Sequence, residues 1–136
     1  MAKQERRWVR VRTLAAEEKA AIAAKCDRFI AEILKPRFLP EIRRTELNYP
    51  VDISGKWRGS KYSFFTRYRS GFSDNEGEEF DAVFTRLDHV EEQIAEIRFD
   101  LMWRRHNGQY WRAHSSVTLD EALHLIETKP LLQPNP

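Results

Sequence analysis

The residues best suited to chemistry lie in the last third of the chain, on two segments separated by Asn107-Gly108. If residues 97–104 and 109–115 pair as a hairpin, Asp100, Met102, Arg104, Tyr110, Arg112 and His114 share the face turned away from the apolar residues. Arg, Tyr and His interleaved on an open sheet stack on bases and grip phosphates, as sheet-based RNA binders do. Arg58, Lys61, Arg67 and Arg69, with Lys56, would extend that surface. The plainer reading is cross-strand pairing on a solvated face, Asp100 with His114 and Arg104 with Tyr110. Arg58-Gly59 opens like an RNA-recognition octapeptide, but Ser60, Lys61 and Ser63 do not continue it.

Other chemistries have less to stand on. Metal binding needs clustered ligands, and neither Asp88, His89, Glu91 and Glu92 nor the His106/His114 pair follows a known ligand spacing. The acidic run from Asp74 to Glu79 lacks the calcium-loop pattern. Metal-dependent phosphodiester cleavage would draw on Asp81 or Asp88 on one strand and Glu96 and Arg98 on the next, with a carboxylate-bound cation steadied by a basic neighbour. No Ser-His-Asp set, phosphate loop or dinucleotide fingerprint is visible. No metal and no cofactor is therefore expected, and an enzyme less than a binding protein.

A single cysteine, Cys26, rules out an internal disulfide and a Cys-rich metal site. It sits inside an apolar helical stripe, where it reads as a small buried hydrophobe. A lone thiol suits a reducing compartment, so the cytoplasm is expected. No apolar run approaches a membrane span, and the basic start, Met1 to Arg12, is not followed by a signal-like apolar stretch. The net charge of +2 conceals an asymmetry: residues 1–70 hold 17 Lys and Arg against 8 Asp and Glu, and residues 71–136 hold 6 against 13. Either the halves neutralise each other across the fold, or the first half presents a basic surface to an acidic partner.

These residues must be held by the elements the pattern predicts. Leu14 to Lys35 contains seven alanines and no Gly or Pro, with Thr13 as the expected N-cap and Pro36 as the stop. Ile22, Cys26, Phe29, Ile30, Ile33 and Leu34 form its apolar stripe. After a connector over residues 36–44 the period changes to two. Thr45 to Ile53 reads as a strand with Leu47, Tyr49, Val51 and Ile53 on one face, and Pro50 marks it as an edge strand or a bulge. Ser54 to Ser60 reads as a loop, Lys61 to Ser70 as the second strand, and Phe80 to Val90 as the third. Ile97, Phe99, Leu101 and Trp103 alternate cleanly with polar partners in a fourth, and Gln109 to Ser115 is the last. Thr118-Leu119-Asp120-Glu121 is a capping box that opens a short helix with Leu119, Leu123 and Ile126 on its buried side.

The hairpin register follows from its faces. A two-residue Asn-Gly loop would set Trp103 against Arg112. A three-residue loop, His106 to Gly108 with Gly108 left-handed, sets Trp103 against Trp111 and Leu101 against Ala113 and keeps one side apolar. The expected fold is α+β in two layers: an antiparallel meander of four to five strands with a long N-terminal and a short C-terminal helix on one face. Residues 1–12 are expected as a basic arm, 13–130 as one domain, and 131–136 as a frayed tail.

Leu101-Met102-Trp103-Arg104-Arg105 followed closely by Trp111 resembles the signature of a bacterial family known as the domain of unknown function numbered 3024: a Leu-aromatic-Trp strand, a charged turn and a second Trp. The order of helix, proline-bearing connector, meander and closing helix is similar too, over roughly residues 20–130. The chain departs from it in Arg112, where the family often has His, and in its C-terminal tail. The resemblance implies a shared fold and a bacterial source, and no activity. The functional expectation is a non-enzymatic binding or protein-interaction domain, self-association through a sheet edge included. A nucleic-acid binder using Arg58, Lys61, Arg67, Arg69, Arg104, Tyr110, Arg112 and His114 stands second, and a small metal-dependent nuclease third. No membrane partner is expected.

Overall fold

The alanine-rich segment folds as expected into a long helix, described with the rest of residues 10–134 by a computed structural model. It comprises α1 (Ala16–Phe29), a π-helical turn (Ile30–Leu34) and a last short turn, α2 (Lys35–Phe38). Its two ends differ from the expectation. At the start the N-cap is Ala15, not Thr13; Ala15 offers no side-chain cap, but its N–H donates to Glu18 Oε1 at 2.9 Å. The cause is tertiary. Arg12 is drawn against the loop before the fourth strand, its N–H bonding the Glu91 carbonyl at 2.7 Å and its guanidinium the Glu18 carboxylate at 2.6 Å. At the other end the helix runs past Pro36. Lys35 N–H reaches back five residues to the Ile30 carbonyl, so the ladder has already widened, and Pro36 enters the first turn of a fresh α segment, where its missing N–H matters little.

Five antiparallel strands follow in sheet order β1-β2-β3-β4-β5: β1 (Asn48–Arg58), β2 (Lys61–Ser70), β3 (Glu79–His89), β4 (Phe99–Arg104) and β5 (Tyr110–Val117). β2 matches its expected bounds. β1 does not stop before Ser54; it continues through Gly55 to a two-residue turn in which Gly59 is left-handed, φ 59°. Gly55 is a packing residue rather than a breaker, since a Cβ there would lie 2.2 Å from the Tyr62 hydroxyl. Pro50 lies on an edge strand beside a register shift, as its chemistry requires. Leu47 precedes the strand and is exposed, and the register shift between Pro50 and Asp52 puts Tyr49, across from Arg69, on the face opposite Ile53, across from Thr66, so Leu47, Tyr49, Val51 and Ile53 do not share one face.

Both helices cover one face of the sheet. α1 contributes Ile22, Cys26, Ile30 and Leu34, and the sheet answers with Ile53, Tyr62, Phe64, Phe84, Leu87, Phe99 and Leu101. Cys26 is fully buried, and burial pushes its thiol up to about 12. α3 (Leu119–Thr128) carries the expected capping box: Glu121 N–H donates to Thr118 Oγ1 at 3.2 Å and Thr118 N–H to Glu121 Oε1 at 2.9 Å. It buries Ala122, Leu123 and Ile126. The tail expected to fray is pinned as far as residue 134. Leu132 and Gln133 are buried, Thr85 Oγ1 donates to the Leu132 carbonyl at 2.8 Å, and Gln133 Nε2 caps the Ile126 and Glu127 carbonyls. Most of the expected basic arm, residues 1–9, lies outside the described residues.

The last hairpin has the three-residue loop. Trp103 pairs with Trp111, Arg105 N–H bonds the Gln109 carbonyl, and Gly108 has φ 84°. Two of its details differ. A register shift leaves Ala113 as an extra residue, so Leu101 faces His114 instead of Ala113. Trp111 shares the helix-side face but is 49% exposed, because it lies beyond the area the helices cover; the Arg105 guanidinium sits 5.1 Å from its ring and 5.9 Å from that of Trp103.

Candidate functional site

The face opposite the helices is a charge lattice whose spacing is set by strand pairing. Residues directly across antiparallel strands share a face, so Lys56 stands over Ser63, Ser63 over Arg86, Arg86 over Met102 and Met102 over Arg112. Phe65, also on this side, is buried beneath the Lys56 ammonium, 4.8 Å from its ring, and the Arg67 guanidinium at 5.9 Å.

At the end of the sheet near the β2–β3 loop the charges cancel. Arg67 Nε donates to Asp81 at 2.9 Å, and Arg69 Nε to Glu79 at 2.9 Å. The Arg67 bond holds the Asp81 carboxyl below its ordinary range and raises Arg67 in turn. Further along, Arg86 grips Asp88 with two bonds of 2.6 and 2.8 Å. Burial pulls the Arg86 pKa down, but the Asp88 bonds more than offset it and the net shift is upward. Arg112 lies 3.6 Å from Asp100, whose other oxygen accepts the Ser116 N–H.

At the β1–β2 turn the balance tips. Lys56, Arg58, Lys61, Arg86 and Tyr110 line an open groove of about 640 Å³, in which Asp81 is the lining carboxylate. Arg58 and Lys61 form no ion pair among the described residues, and neither does Arg104. The Arg86 guanidinium lies 3.8 Å from the centre of the Tyr110 ring and covers it.

The eight residues singled out from sequence therefore divide. Arg58, Lys61 and Tyr110 line the groove. Arg104 pairs in register with Tyr110 beside it, and Arg112 with Met102. Arg67 and Arg69 are on the same face but engaged with carboxylates. His114 is on the other face, opposite buried Leu101, because the extra residue at Ala113 reverses the side on which it falls. The pairing expected between Asp100 and His114 is replaced by Asp100 with Arg112. Arg86 was not singled out from sequence: its outward side depends on the extra residue at Phe84 and its place beside Tyr110 on the lateral order of strands, neither of which alternation encodes.

Of the carboxylates that a nuclease would use, Asp88 is held by Arg86 and Glu96 by Arg98. Among the described residues no group of three or more His, Cys, Asp or Glu is placed to hold a metal ion, and no helix is long and apolar enough to cross a membrane. No curated protein and no solved structure matches the chain. A family model described as Domain of unknown function (DUF3024) matches residues 14–132, and the chain belongs to that family.

Proposed function

We propose that this chain is a non-enzymatic binding domain whose outer sheet face receives an acidic partner, a protein surface in preference to a nucleic acid. The observation that carries the reading is the pair of groove cations that no carboxylate among the described residues meets, Arg58 and Lys61, beside Lys56 and Arg86, which Asp81 and Asp88 hold, and beside a sheet end where the same residue types cancel. Unpaired guanidinium and ammonium groups along a concave floor attract carboxylates and steer their approach. The covered Tyr110 ring favours protein over single-stranded nucleic acid, because binding of unpaired bases draws much of its strength from bare aromatic faces. The bacterial and cytoplasmic setting belongs to the same proposal, supported by the family resemblance and by a lone buried cysteine that a reducing compartment leaves unmodified.

The test is anisotropy of labelled polyglutamate and of a labelled single-stranded oligonucleotide against the full chain and its Arg58→Glu/Lys61→Glu variant, across a salt series. Polyglutamate is expected to bind the native chain and to be released by the double reversal. Tighter binding of the oligonucleotide, with a steep salt slope, would install the nucleic-acid reading instead. Binding of neither probe would remove the groove from consideration.

A further inference from the structure

The sheet is split at one point, and the split exposes main chain. β3 and β4 pair only as far as Thr85 and Trp103, whereas β3 and β2 remain paired down to Glu79. The register shift on the β2 side makes Phe84 an extra residue and reverses the direction in which successive β3 residues present their main-chain groups. The hydrogen bonds fix that direction. His89 N–H bonds the Ser60 carbonyl on the β2 side, and Val90 N–H bonds Arg98 on the β4 side. Beyond the bulge Ser70 N–H bonds the Glu78 carbonyl, so Glu78, Phe80 and Ala82 now face β2. Glu79, Asp81 and Val83 consequently turn their N–H and C=O groups to the opposite side, where no strand lies among the described residues.

That lane opens onto a cleft of about 320 Å³ between β3 and the tip of the β4–β5 hairpin. Phe84, Trp103 and Leu131 supply its apolar wall, with Leu131 54% exposed, and Arg104 and His106 stand at its rim. Neither Arg104 nor His106 has a carboxylate partner among the described residues. The carboxylates of Asp81 and Glu79 on β3 do not cancel the Arg104 charge, because they are held by Arg67 and Arg69 on the β2 side.

We propose that this cleft is a strand-accepting site for an extended acidic polypeptide segment carrying one large apolar residue. Donors and acceptors presented at every second residue, about 6.7 Å apart, match the repeat of an extended polypeptide. The apolar wall has room for a single large side chain, and the Arg104 guanidinium at the rim selects a carboxylate beside it. Exposed edges in natural sheets are commonly blocked by a bulge, an inward charge or a covering segment. Here the bulge opens the edge, and the C-terminal turn (Pro130–Leu132) forms its apolar wall. The site adjoins the basic groove at Val83 but takes none of its cations, and it does not rest on the groove's charge.

The experiment uses the full chain and a labelled peptide of alternating Val and Glu with a central Leu, together with a copy N-methylated at alternate amides. The first peptide is expected to bind and to protect the Val83 amide from hydrogen exchange; the N-methylated copy is expected to bind roughly tenfold or more weakly. Val83→Pro, which removes a lane-facing donor and leaves the β2 ladder alone, is expected to weaken binding to a similar degree, whereas Lys61→Glu leaves the amide protection in place. Failure of the peptide to bind, or equal binding of the N-methylated copy, overturns the proposal. So does protection of Val83 that appears without peptide and rises with protein concentration, which would assign the lane to a second copy of the chain. If Val83→Pro fails to fold, the two peptides on the native chain decide the matter alone.

Discussion

The two faces of the sheet use many of the same residue types to different ends. On the helix side Phe64 is fully buried, its ring meeting Tyr62 edge-on at 5.2 Å and Phe29 at 6.4 Å. On the outer side Phe65, its neighbour in sequence, is sealed by charged side chains whose heads remain in water. The first arrangement ties the helix layer to the sheet; the second makes a lid from groups that mostly neutralise one another. Stability therefore resides on one face, and the other is free to vary its charge. The surplus at the β1–β2 turn is a feature of surface chemistry that the fold tolerates.

The largest expected break in this contrast is Phe64→Ala, which should lose about 3–5 kcal/mol in chemical denaturation. A loss as small as that of a surface change would show that the helix-side layer is not closely packed. Gly55→Ala comes next, at about 1–3 kcal/mol, since the new methyl group would collide with the Tyr62 ring carbons as well as its hydroxyl. Tyr62→Phe in the same chain should not rescue it, because the ring carbons lie 2.6 Å from the built position.

His89 tests the same face by pH. It is buried edge-on to Phe99, and neither ring nitrogen has a hydrogen-bond partner among the described residues. Burial lowers its pKa, against the opposite pull of Glu91 and with the help of Arg12. The folded chain thus takes up the proton less readily than the unfolded one. This contribution to stability is complete above the unfolded value of about 6.5 and is lost as pH falls through it toward the lowered folded value. His89→Phe should remove that acid-side slope and gain about 1 kcal/mol at neutral pH, read from thermal unfolding across a pH series. The smallest effect belongs to the outer face. A double-mutant cycle of Arg67→Ala and Asp81→Ala should return a coupling of about 0.2–1 kcal/mol that shrinks with added salt. A coupling as large as the Phe64 loss would erase the distinction between the faces.

Much of the fold was readable because the relevant physics is local. Alternation placed β2 at Lys61–Ser70, the Thr118 box placed α3, and the conflict between Arg112 and an apolar face selected the three-residue hairpin loop. The misreadings have tertiary causes. Gly55 looks like a breaker until Tyr62 is seen lying over it, and Pro36 looks like a stop until the π turn before it is seen. Trp111 looks buried until the helices are found not to reach it. The candidate surface was half legible: Arg58, Lys61 and Tyr110 converge as their positions suggested, whereas His114 was misplaced by a single extra residue.

Residue order by itself determined the helices, the strands, their antiparallel succession and the family, since each depends on periods, caps and turns spanning a few neighbours. Which positive charges remain unmatched, and where β3 parts from β4, was decided only in three dimensions. Cross-strand neighbours are distant in sequence, and one bulged residue exchanges the two sides of everything beyond it.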